Sequence, residues 1–97
     1  MNDIETLRKT IRDLHGCESR HLMSVPIREA FDGDTIWAGN VEVFFLIGHP
    51  EAREAYAWSY ADDHFENHDI AVLGVGQVTT AREAVRVHMR SKAPKSK

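Results

Sequence analysis

Residues 35–62 read TIWAGNVEVFFLIGHPEAREAYAWSYAD, and this stretch holds both tryptophans, both tyrosines and two of the four phenylalanines. Trp37, Gly39, Val41, Val43, Phe45 and Ile47 recur at period two, opposite Ala38, Asn40 and Glu42. The second face turns apolar only at Phe44 and Leu46. Alternation sustained over so many residues predicts a strand, not a helix. A second alternating run follows, with Tyr56, Trp58 and Tyr60 on one face and Ala55, Ala57, Ser59 and Ala61 on the other. Between them, Gly48-His49-Pro50-Glu51-Ala52 breaks the pairing, so the two runs form a hairpin with a wide loop.

Working outward, Arg20 to Phe31 predicts an earlier strand in which Met23, Val25, Ile27 and Phe31 alternate with Ser24, Pro26 and Arg28. Pro26 cannot donate to a ladder, which places this strand at an edge or at a bulge. Asp32-Gly33-Asp34 is a turn signal, and the short separation makes the first two strands antiparallel. Ile70 to Val75 is apolar on both faces and is expected in the sheet interior. Helices are expected at both ends. Ile4, Leu7, Ile11 and Leu14 form a stripe at helical spacing, with Asn2 and Glu5 as a capping box and Gly16 as the stop. Thr80 and Glu83 form a second capping box ahead of Ala81, Ala84, Val85, His88 and Met89.

These elements give an α+β fold in the order α-β-β-β-β-α. The expected architecture is a two-layer sandwich in which a four-stranded antiparallel sheet carries both helices on one face. Residues 1–91 form a single domain, and residues 92–97 form a basic, disordered tail.

Charge is unevenly spread along the 97 residues. Residues 1–48 carry five basic and eight acidic groups, residues 49–81 one and six, and residues 82–97 six and one. The acidic middle argues against a general nucleic-acid binder. A lone cysteine cannot form an internal disulfide, and the charged start MNDIETLRKT has no apolar core of a secretory signal. With no run of 18 apolar residues, the expected setting is the cytoplasm, with no membrane contact.

The strings HLMSVPIREAF, DGDTIWAGNVEVFFLIGHPEAREAYAWSY and IAVLGVGQV resemble a group of roughly hundred-residue bacterial proteins with no activity attached. The resemblance covers residues 21–78 and rests on a VPI strand, a VW-G-VEVF-like strand, a GHP-A turn and a YAW strand. It implies a bacterial source and a domain spanning the whole chain. A fainter likeness is to the double-stranded-RNA-binding domain. The chain departs from it by its fourth strand and by a last helix opening Thr79-Thr80-Ala81-Arg82-Glu83, which lacks the phosphate-gripping lysines.

Few side chains suggest chemistry. His15, Cys17 and His21 could contribute to a zinc site, but no partners complete one, and nothing marks Cys17 as an activated nucleophile. The Asp62–Asp69 stretch, with His64 and His68, reads as a solvated loop. Gly74-Val75-Gly76 meets neither nucleotide fingerprint. His49 is a candidate because loops carry function. Tyr56, Trp58 and Tyr60 form an aromatic stripe that serves as the core face, a subunit interface or a stacking platform. Arg82, Arg86 and Arg90 form a basic face that could meet an acidic partner. No nucleophile, base and orienting group can be assembled from spacing, so no catalytic residue, metal or cofactor is expected. The expected function is a small interaction or ligand-binding module. A small enzyme using loop histidines and carboxylates, or a weak nucleic-acid binder using the basic end, are the alternatives. The partly apolar second face of the hairpin, Phe44 and Leu46, predicts a homodimer through that face.

Overall fold

The computed structural model describes residues 3–31, 35–61, 64–76 and 78–92. The elements run α1 (Ile4–His15), β1 (Glu18–Phe31), β2 (Thr35–Ile47), β3 (Glu54–Ala61), β4 (Asn67–Leu73) and α2 (Ala81–Lys92). The strands form one antiparallel sheet in the order β1-β2-β3-β4. The α+β layout expected from the sequence is therefore present, with a helix at each end of the chain. The turn at 32–34, residues 62–63 and the tail at 93–97 lie outside the described residues, as do the side chains of Trp37 and Arg90. α2 continues through Lys92, where the tail was expected to begin.

The layering differs from expectation. α1 buries Leu7 and Ile11 against Phe44, Leu46, Ala52, Ala55 and Ala57. α2 buries Ala81, Ala84 and Val85 against Ile27, Val41, Val43, Tyr56 and Trp58. Successive strand residues point to opposite faces, so these two sets lie on opposite sides of the sheet. The helices cover one face each, giving three layers instead of two. The residue sizes explain the choice. Tyr56 and Trp58 fill the space under α2, while Ala55 and Ala57 let α1 approach the sheet closely. On β3 the small residues Ala55 and Ala57 are buried as fully as Tyr56 and Trp58.

This layering also corrects the position of β4, which lies at an edge of the sheet. Its apolar residues on both faces reflect a helix on each side: Ile70 and Val72 pack with α2's cluster, and Ala71 and Leu73 with α1's. The strand starts at Asn67, so the polar residues Asn67 to Asp69 belong to it and not to a loop.

Local signals explain the element ends. Asp3, one residue later than expected, caps α1, its Oδ1 accepting from the backbone N–H groups of Glu5 and Thr6 at 3.1 and 3.3 Å. Gly16 closes the helix at φ 72°, a left-handed conformation that costs glycine little. Leu14 falls off the buried stripe at 61% exposure. His15 meets the sheet instead, its Nε2 donating to the Ala71 carbonyl at 3.2 Å. Thr80 Oγ1 accepts from the Glu83 N–H at 3.1 Å, as the capping pattern predicts. Gly74 suits a close approach, since a Cβ there would lie a tight 3.1 Å from the Glu54 carbonyl oxygen.

β1 is an edge strand, as Pro26 requires, but its bulge lies earlier, between His21 and Met23. β1 and β2 pair from Glu18–Ile47 to Phe31–Thr35, whereas β2 and β3 pair only over Glu42–Phe45 with Ala57–Glu54. The sheet is thus two hairpins joined along a short seam.

Candidate functional site

The bulge at Leu22 has a chemical consequence. It resets the alternation of β1, so His21 and Ser24 both reach the α1 side of the sheet, where Glu42 of β2 lies. Glu42 is 4% exposed. His21 Nε2 donates to Glu42 Oε1 at 2.8 Å, and Ser24 Oγ donates to the same oxygen. The His21 ring also tilts against Phe44, with centroids 5.3 Å apart. Both donors converge on one carboxylate oxygen, so serine and imidazole are not linked to each other as nucleophile and base. The cluster satisfies a buried charge, which is the condition for burying one at all. In sequence Glu42 shares a face with Ala38 and Asn40, just before that face turns apolar at Phe44 and Leu46. A lone acid inside the apolar run VEVFFL was the available signal, but its partners depend on the bulged register between strands.

The structure disperses the residues expected to form a site. Tyr56 and Trp58 are core, at 3% and 1% exposure, so neither can serve as a stacking platform. Tyr60 is half-buried and stacks on His68, with ring centroids 5.1 Å apart. His88 packs edge-on to Trp58 at 5.5 Å. His49 Nδ1 accepts from the backbone N–H groups of Glu51 and Ala52, both at 3.0 Å, which makes the ring a brace for its own loop. Arg82 Nη1 donates to the Arg28 carbonyl at 3.2 Å, and Arg86 reaches Glu83 at 3.7 Å. These two arginines secure α2. His15, Cys17 and His21 go to separate places, with Cys17 half-buried beside α1's cluster. Among the described residues no three histidine, cysteine or carboxylate side chains gather as metal ligands.

Phe44 and Leu46, expected to face a partner, are buried under α1. The apolar surface lies instead on α2's side, where that helix leaves one end of the sheet bare. Met23 is 53% exposed and Phe45 43%. Beside them runs an open groove of about 540 Å³, lined by Met23, Val25, Ile27, Val43, Tyr56 and Arg82 among others. Phe45 lies in register between Arg20 of β1 and Glu54 of β3. The row is therefore cation, aromatic ring, carboxylate.

Tyr56 OH donates to Glu54 Oε1 at 3.2 Å at the edge of this groove. Burial pushes the phenol from 10.0 up to about 12, with the Glu54 charge and the hydrogen bond adding to the effect. The folded chain then holds this proton more tightly than the unfolded chain. The resulting stability is complete below pH 10.0 and is lost as pH rises toward about 12. Urea midpoints measured across that alkaline window should fall with a slope that Tyr56→Phe removes. An unchanged slope in the variant would place the titration on another group.

The chain matches no protein-family model, and no curated protein or solved structure shows significant similarity to it. No helix among the described residues is long and apolar enough to cross a membrane.

Proposed function

We propose that the protein is a non-catalytic interaction module whose exposed apolar face joins two copies of the chain. The observation that carries this reading is the row Arg20–Phe45–Glu54 beside the exposed Met23. A two-fold interface must be complementary to itself. An axis running along the strand through Phe45 sets Arg20 of each copy against Glu54 of the other. The two Phe45 rings and the Met23 side chains then fill the centre, in keeping with the aromatic and methionine enrichment of interface cores. The half-buried single cysteine fits a reducing compartment such as a bacterial cytoplasm.

The test is solution mass by light scattering across a dilution series. A dimer is expected at high micromolar concentration. Phe45→Ser and Arg20→Glu should each yield folded monomer, and the exchange Arg20→Glu with Glu54→Arg should restore the dimer. A wild-type chain that stays monomeric would overturn the proposal. So would a dimer indifferent to both single substitutions.

A further inference from the structure

A second cleft of about 360 Å³ opens between α1 and β1, lined by Ile4, Glu5, Arg8, Ser19, Arg20, His21 and Ile47. Three observations give it a chemical character. Ser19 is 4% exposed, and its hydroxyl has no hydrogen-bond partner. Buried hydroxyls are ordinarily paired, so an orphan in the wall of a cleft marks a position where a polar partner is wanted. Arg8 is held rigidly beside it. Its Nε donates to the Ser19 carbonyl at 3.2 Å, and Nη1 donates to Glu5 at 3.2 Å. Glu5 is 80% exposed on its side chain, so water screens it and the pair leaves much of the guanidinium charge to act on the cleft. Finally, Ile4 and Ile47 add apolar wall to the same space, and Ile47 is 49% exposed.

We infer that this cleft binds a small amphipathic carboxylate, its head group taken by Arg8 and the Ser19 hydroxyl and its hydrocarbon part laid on Ile4 and Ile47. Arg8 supplies the positive charge of the cleft, while Arg20, whose register sets it with Phe45, borders the cleft from β1. The Glu42 carboxylate does not oppose the ligand directly, because the His21 imidazole lines the cleft while its Nε2 is bonded to that acid. A volume of this size lies at the small end of ligand cavities, which suits an acid of a few carbons and excludes a nucleotide-sized one.

The probe is hexanoate, followed by amide chemical shifts in a nitrogen-15 NMR titration of the full chain, with acetate, hexanol and inorganic phosphate as comparison ligands. Hexanoate should shift the amides of Arg8, Ser19, Arg20 and Ile47 saturably. Acetate, lacking the tail, should bind more weakly, and hexanol, lacking the charge, should leave these amides unmoved. Ser19→Ala removes no hydrogen bond present in the folded chain, so its urea midpoint should equal or exceed that of the wild type. Its hexanoate affinity should fall about tenfold, the cost of one hydrogen bond to a charged group. Ile47→Ala, at an exposed position, should weaken hexanoate and leave acetate unchanged. The inference is overturned if hexanoate moves no amide in this cleft, if Ser19→Ala binds it undiminished, or if hexanol or inorganic phosphate binds there as well as hexanoate does.

Discussion

Phe44→Ser is expected to lower the free energy of unfolding by about 4 kcal/mol, while Phe45→Ser, one residue along, changes it by less than about 1 kcal/mol. Phe44 is 0% exposed, set among Leu7, Ile11 and Ala55 with the His21 ring against it. Its removal forfeits a buried aromatic ring, leaves a cavity and places a hydroxyl where no partner waits. For a domain whose whole stability is on the order of 5–15 kcal/mol, that loss is a large part of the total. Phe45 is 43% exposed on the other face, and serine there meets water in a monomer. Urea unfolding of the two variants at low protein concentration checks the assignment of faces directly. Equal losses would mean that β2 is not sandwiched between helices as described.

Glu42→Ala should cost about 2 kcal/mol, because it empties a buried site and removes the acceptor shared by the half-buried His21 and the exposed Ser24. Glu42→Gln keeps an acceptor oxygen for one of them and should cost about 1 kcal/mol. The double substitution Glu42→Leu with His21→Phe removes the acceptor and the half-buried donor together, leaves the exposed Ser24 hydroxyl to water, and should recover most of the stability lost in Glu42→Ala. The same urea series measures all three. A double variant no better than Glu42→Ala would mean that the cluster's value lies in packing shape and not in its hydrogen bonds.

Much of this architecture was legible in the sequence. Alternation at period two located β2 and β3, Gly16 and Thr80 marked helix boundaries, and Pro26 placed β1 at an edge or at a bulge. Each of these signals is local, carried by a residue's own backbone preferences or by its immediate neighbours. The layering was not legible, although its cue was present. Phe44, Leu46, Ala55 and Ala57 are readable strand by strand, but only the pairing that sets Phe44 against Ala55 shows that they form one continuous apolar surface requiring its own helix. β4 was misplaced for the same reason, since apolar residues on both faces reveal cover above and below and say nothing about neighbours to the side. The Glu42 cluster depends on one extra residue in β1, and no composition or spacing rule fixes a bulge to a single position. The aromatic stripe drew attention by its content. The cleft at Ser19 has no conspicuous residue, and it is defined by what one hydroxyl lacks.

The short seam between the two hairpins bears on how the chain comes to life on the ribosome. The first hairpin and α1 emerge before any of β3, yet α1's buried side chains rest on Ala52, Ala55 and Ala57, which have not yet been synthesised. The helix that follows the second hairpin reaches back in turn to Ile27, Val41 and Val43 of the first. Each half therefore carries the lid of the other. A nascent chain that stops at the loop after Ile47 can lay its helix on Phe44 and Leu46, but it lacks Ala52, Ala55 and Ala57 beside them and has no cover for Ile27, Val41 and Val43 on the other face. Both halves must be present before either core is complete, so the last burial waits for the C-terminal helix.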